Sequence, residues 1–285
     1  MPYPLISIII PCYNHGRLID EAIQSVELYP DKNTYEIIII NDGSTDDYTN
    51  QHLDELKNKG YHVVFQENQG LGKTRNNGIS LARGKYILPL DADNKIRPEY
   101  ISKAIEVLEK TSSISVVYSD RQLFGNSMKL VKVGEFDLLK ILEENYIDAC
   151  AIFRKTMWEA IGGYDENMPA QGLEDWDFWL AVAEKNGKFY YLPEPLFFYR
   201  VIDDSMLHQL NAGPHLNKVI DYIYKKHALF LRNSFVNTTH EMKAKINDLQ
   251  GDLDVILRSR SYKICEILIK PFRMIRKALF PKSFK

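Results

Sequence analysis

At 285 residues, 45% of them hydrophobic and 12% aromatic, the chain is too apolar to be disordered or fibrous and long enough to bury one substantial core with an appendage. Of its 36 basic and 38 acidic residues, which leave a formal charge of -2, nine basic and one acidic fall in 255–285; that stretch carries +8 and residues 1–254 carry -10. An acidic body excludes nucleic acid as the partner of the main domain.

Residues 5–10, Leu-Ile-Ser-Ile-Ile-Ile, form a β-branched run ended by Pro11 and predict a strand buried on both faces. Asn14 is placed to cap the next element, a helix through Ile19, Ile23 and Val26 that stops before Pro30. A second buried strand over 36–40 ends in the turn-forming cluster Asn41-Asp42-Gly43-Ser44, ahead of a helix around Leu53 and Leu56. The alternation continues with a strand over 63–65, a helix over 73–82 and a strand over 86–90. After Pro98, Ile101, Ile105 and Leu108 mark a helix, and residues 114–118 return to β character. Residues 147–153 read as a strand, 155–161 as a short helix, and 189–192 and 196–199 as two final strands joined through Pro193 and Pro195. Beyond residue 205 the sequence is helical and polar.

Strands alternating with helices imply right-handed crossovers and a mostly parallel α/β sheet, with ligands beyond the carboxyl ends of the strands. Asn14, Asp42 and Asp91 each follow a predicted strand, so they should gather along one edge.

Four segments carry chemistry. Asp91-Ala92-Asp93 at a strand end can offer carboxylates to magnesium or manganese, or form a solvated turn before the helix at Pro98. Asp42 can accept a base N–H while Gly43 lets backbone approach closely; uracil and guanine both offer such an N–H, and a plain turn is the alternative. Arg75 and Asn76, at a predicted helix start after Gly70 and Gly72, suit a phosphate or nucleotide, or a solvated turn. Glu174-Asp175-Trp176-Asp177 sets three carboxylates beside Trp176 and Trp179, which suits a general base against sugar-binding rings, or equally an acidic helix start over core tryptophans.

Jointly, Ser7-Ile8-Ile9-Ile10-Pro11-Cys12-Tyr13-Asn14, Ile40-Asn41-Asp42-Gly43-Ser44-Thr45-Asp46, Arg75-Asn76-Asn77-Gly78 and Leu90-Asp91-Ala92-Asp93 resemble the inverting family-2 glycosyltransferases in order and spacing. Glu174-Asp175-Trp176-Asp177 is similar to that family's acidic base motif, and Tyr199-Arg200 with Ser205-Met206 to its closing segment. The resemblance implies a GT-A fold with a mixed, mostly parallel sheet over 1–210: a donor-binding half to about residue 110, an acceptor half over 111–210, and a helical extension over 211–285. It implies an inverting transfer of sugar from a nucleotide diphosphate-sugar, a UDP-sugar first, to a glycan or lipid-linked hydroxyl in cell-surface polysaccharide synthesis. Pro11, Tyr13, Asn14 and Asp42 would hold base and ribose, with Arg75 and Asn76 near base or diphosphate. Asp91 and Ala92 would meet the ribose or the metal shell, and Asp93 would bind the metal, Mn2+ or Mg2+. Asp175 is the chosen base with Glu174 and Asp177 as alternatives, and Trp176 and Trp179 would face the acceptor. Many relatives carry an aspartate where this chain has Asn94. A segment over 203–209 is expected to close over the donor, with His208 unassigned. The rival readings are a nucleotidyltransferase, a glycoside hydrolase and a non-catalytic nucleotide- or sugar-binding module.

Cys12, Cys150 and Cys265 are far apart and odd in number, which fits a reducing compartment. With no signal-like or spanning apolar stretch, the expectation is a cytoplasmic protein. In the tail, Ile264, Leu268, Phe272, Ile275 and Leu279 recur at helical spacing among basic residues, with Pro271 expected to kink or divide the pattern. Such a stretch can lie on an anionic membrane surface, peripheral to the inner face, or dock on protein.

Overall fold

The structure, a computed structural model, describes residues 3–202, 210 and 213–279, with side chains described to residue 270. The chain divides into two compact units, Met1–Ala228 and Leu229–Lys285.

The first unit is built on a parallel core. Strand β1 (Ile6–Cys12) pairs in parallel with β2 (Tyr35–Asp42) on one side and β4 (Tyr86–Pro89) on the other, and β2 pairs with β3 (His62–Gln66). Period-2 geometry divides β1 between two layers. Ile6, Ile8 and Ile10 join the core that includes Ile19, Ile23 and Val26 of α1 (Ile19–Glu27) and Ile101, Ala104 and Leu108 of α4 (Pro98–Lys110). Ile9 points the other way, onto α3 (Leu71–Leu81), where a Cβ on Gly78 would lie 2.4 Å from Ile9 Cγ2. That close approach requires glycine and brings the start of α3 to the sheet edge. Helix α2 (Asp47–Asn58) completes this half.

The second half extends the same sheet in the order β3-β2-β1-β4-β8-β6-β9-β5, where β5 is the two-residue strand Lys95–Ile96 and β7 (Leu130–Val131) is paired to β6. Strand β8 (Ile152–Arg154) runs antiparallel to both β4 and β6 (Ile114–Gly125), and β9 (Lys188–Val201) runs parallel to β6. The mixed, mostly parallel sheet is therefore as expected. Helix α5 (Leu138–Glu143) precedes β8, α6 (Lys155–Ile161) follows it, and α7 (Glu174–Glu184) leads into β9.

Three local expectations are corrected. The strand over 147–153 shrinks to Ile152–Arg154, because residues 144–151 leave the ladder as a loop. The two strands over 189–199 are one, since the register slips between Ser119 and Asp120 and lets Pro193 and Glu194 bulge out, so that the missing proline N–H costs no ladder bond. Asn14 does not cap α1; its Oδ1 accepts the N–H groups of Thr45 and Asp46 at 2.8 and 3.0 Å, tying the β1 loop to the β2 loop.

Helix α8 (Leu216–Lys226), grouped from the sequence with the extension, belongs to the first unit. After it come α9 (Ala228–Arg258) and α10 (Arg260–Leu279), the latter undivided at Pro271. No helix among the described residues is long and apolar enough to cross a membrane.

Candidate active site

A cleft of about 670 Å³ lies beyond the carboxyl ends of β1, β2, β4, β6 and β9. Because β8 runs the opposite way, the loop before it, residues 144–151, meets the same edge.

Asp42, the last residue of β2, lines the cleft. Its Oδ1 accepts from Gln66 Nε2 and Gln69 N, both at 2.8 Å, and its Oδ2 from Gly70 N at 3.1 Å. A carboxylate has about four acceptor positions, so one is left for a ligand N–H. Gly43, at φ +65°, permits a close approach as expected, but the approaching backbone is the protein's own: an added Cβ would lie 2.5 Å from Asn68 N. Pro11 and Tyr13 line the same end.

Arg75, in the second turn of α3, is 2% exposed and donates through Nη2 to Asp91 Oδ1 at 2.8 Å. Burial works against the guanidinium's charge, but Asp91 and the further acids Glu174 and Asp175 hold it protonated. The turn Asp91-Ala92-Asp93-Asn94 follows β4 and is clamped from behind. Arg200 donates through Nε to the Asp93 carbonyl and through its backbone N–H to Asn94 Oδ1, each at 2.8 Å. Asn94 thus supplies a neutral acceptor that serves the backbone. Burial, with Asp91 adding to it, pushes the Asp93 carboxyl up to about 7.

No group of three or more His, Cys, Asp or Glu side chains among the described residues forms a metal cage. The residues nonetheless fit a hard divalent cation, which is held by one or two carboxylates and completes its shell with substrate phosphates and water. Asp93 offers a confined carboxylate with no ion-pair partner among the described residues, and Asp91 lies beside it.

On the facing wall, α7 begins at Glu174. Glu174 is 2% exposed, and both its carboxylate oxygens accept the Gly172 N–H, at 3.0 and 2.9 Å. Asp175 is half-buried and lines the cleft. Burial pushes its carboxyl up to about 6, against the pull of Arg75 and of the Asn145 amide that donates to its Oδ1 at 2.9 Å. Asn145 and Asp148, both from the 144–151 loop, and Arg121 from β6 also line the cleft and were not read from the sequence. Burial likewise raises Asp148, to about 6, against Arg121.

Five predicted site residues lie outside the cleft lining, and one of them, Asn14, is exposed with its side chain spent on the β2 loop. Two positions apart on a helix is about 200° around its axis, so Asp177 faces away from Asp175; that spacing was a usable signal. Asp177 is 1% exposed and accepts from Lys226 at 2.8 Å, and its Oδ1 pairs with His227 Nε2 at 3.0 Å. Trp176 and Trp179 are buried, not acceptor-facing, and their indole N–H groups donate to the carbonyls of Ile141 and Ile147 at 2.7 and 3.0 Å. Asn76 donates to the Tyr164 carbonyl at 2.9 Å and accepts from Trp158 at 2.9 Å, bracing the wall rather than a ligand. The expected closing segment over 203–209, with His208, lies outside the described residues.

This fold and its acidic strand-end cleft define an α/β protein of the GT-A type. Residues 7–162 match the family model described as Glycosyl transferase family 2, and the chain belongs to that family. An uncharacterized glycosyltransferase of Rickettsia felis is 32% identical over 186 residues, 64% of this chain; the match spans only 30% of that relative's length. TarS 1-349 of S. aureus in complex with UDP-GlcNAc superposes with a TM-score of 0.59 at 20% identity, over 71% of this chain and 60% of that one. The mannosyltransferase PcManGT of Pyrobaculum calidifontis, in complex with GDP-Man and Mn2+, gives 0.55 at 14% identity, over 99% and 89%. At these identities the two structures bear on fold alone.

The Asp177 cluster anchors α8 to the back of α7. His227 is 2% exposed, with Nδ1 3.0 Å from Glu184. Burial pulls the imidazole's affinity for protons down, but its bonds to Asp177 and Glu184 outweigh this and raise it. A raised folded-state affinity gives stability that is complete below the unfolded value, about 6.5, and is lost as pH rises through the folded one. His227→Gln should therefore lower the unfolding free energy by about 3 kcal/mol or more at pH 6. Urea unfolding of the variant and the parent should show that gap narrowing toward pH 9.

Proposed function

We propose that the chain is an inverting glycosyltransferase that moves sugar from a nucleoside diphosphate-sugar, a UDP-sugar first, to a hydroxyl of a glycan or lipid-linked acceptor in cell-surface polysaccharide synthesis. The observation that carries this is the shared cleft: Asp42, Asp93 and Asp175, from three distant parts of the sequence, line one cavity. The bound folds with UDP-GlcNAc and with GDP-Man and Mn2+ lend support to a sugar-nucleotide ligand.

In this reading Asp42 uses its remaining acceptor position for the base N–H, with Pro11 and Tyr13 alongside. Asp93, with Asp91 beside it, would hold a divalent cation, which when bound would supply positive charge against the departing diphosphate. Arg75 orients Asp91 and balances the surrounding acids. Asp175 takes the acceptor's hydroxyl proton as that oxygen bonds to the anomeric carbon and the carbon–diphosphate bond breaks, inverting the centre.

Exposed Ile264, Ile267 and Leu268 stand on α10 with Lys263 and Lys270, a composition that supports a peripheral place at the inner face of a membrane.

Asp175→Asn should lower transfer by about 10²–10⁴-fold while calorimetry finds nucleotide-sugar affinity unchanged; full activity in this variant removes Asp175 as the base. Because the base must be unprotonated, the parent's transfer rate should rise with pH through about 6 and then level. Asp93→Ala should abolish the Mn2+ dependence of slow donor hydrolysis, scored by release of the nucleoside diphosphate. Full-length protein should float with anionic vesicles and a chain ending at Asp254 should not, equal flotation counting against the tail.

A further inference from the structure

Asn145 is a cleft residue whose arrangement is costly without an evident structural return. Its Nδ2 donates to Asp175 Oδ1, but its own Oδ1 is buried with no hydrogen-bond partner among the described residues. A buried acceptor left unmade is destabilising, and fold alone does not favour keeping one. Its position is nevertheless strongly determined. The loop that carries it is pinned on one side by Trp176 Nε1 donating to the Ile141 carbonyl and on the other by Trp179 Nε1 donating to the Ile147 carbonyl. Both tryptophans belong to α7, the helix that carries Asp175, so the loop and the carboxylate move as one body.

We infer that Asn145 is a positioning residue for Asp175: its amide fixes the carboxylate through Oδ1 and favours the ionised form, leaving Oδ2 turned to the acceptor hydroxyl. Both hydrogen bonds to Asp175, from Asn145 Nδ2 at 2.9 Å and Trp176 N at 3.0 Å, fall on Oδ1, and none among the described residues falls on Oδ2. A carboxylate with one oxygen held and one open is the geometry of a directed base. The charged groups around Asp175 are Arg75 on α3, Glu174 beside it on α7, Asp148 on the loop and Asp91 after β4. Of these only Arg75 favours the anion, so the amide of Asn145 is the second support of the charged form. The inference rests on the reading of Asp175 as the base, yet its first readout does not need that reading.

The test is a carbon-13 NMR titration of protein with labelled aspartate carboxyls, the Asp175 resonance being assigned by its loss in Asp175→Asn. In Asn145→Ala the Asp175 midpoint should move upward, and in Asn145→Asp, where a second carboxyl replaces the amide, further still. Transfer at neutral pH should fall at least about tenfold in kcat with donor KM little changed, and the acid limb of the rate profile should move with the NMR midpoint. Thermal unfolding of Asn145→Ala should come at or above the parent temperature, which a merely structural residue would not give. An unchanged Asp175 midpoint in both folded variants overturns the inference. A shifted midpoint together with full transfer by Asp175→Asn instead leaves the positioning intact and removes the base assignment.

Discussion

A buried guanidinium is the constraint around which this cleft is organised. Asp91, Asp93, Asp148, Glu174 and Asp175 crowd one cavity, and unrelieved repulsion among them would oppose folding. Arg75, 2% exposed, stands against Asp91 and within the field of Glu174 and Asp175. Taking such a pair out of water costs several kcal/mol per ion, and it is retained only where geometry is tightly held. The glycines of α3 provide that hold: without Cβ atoms, Gly78 presses against Ile9 and Gly72 against the Asp165 carbonyl, so the helix lies deep enough to carry its arginine into the interior.

Each acid around that centre has a different fate set by what donates to it. Asp42 is held by backbone and amide donors on three of its acceptor positions, Glu174 is turned back on its own loop, and Asp177 belongs to an ion-pair cluster behind the helix. Asp175 alone on α7 combines a half-open position with a single amide partner from another element. Identical side chains two residues apart in sequence, Asp175 and Asp177, thus do unlike work because helical geometry turns them to different surroundings.

Much of the half of the sheet formed by β1 to β4 was legible in the amino-acid sequence. The β-branched runs at 6–10 and 37–40 can be buried on both faces only in a parallel sheet, and chain-local rules then put Asp42 and Asp91 at its carboxyl edge. The half that follows α4 was not, because its placement depends on pairings distant in the chain. Arg121, Asn145 and Asp148 reach the cleft only once β8 is inserted between β4 and β6, a step that no periodicity reports. Trp176 and Trp179 were misread since an aromatic ring beside acids has the same local signature in a core as on a binding surface; their buried N–H bonds decide the matter.

The reversed direction of β8 has a further outcome for how such a chain can diversify. Asp42 and Asp91 hang on forward-running strands whose spacing is locked by the crossover helices, while residues 126–151 arrive at the opposite wall as an excursion between β6 and β8. That excursion can be lengthened, shortened or exchanged without disturbing a single rung of the β1, β2 and β4 ladder. In the reading proposed above, novelty in what receives the sugar would thereby be uncoupled from the machinery that delivers it.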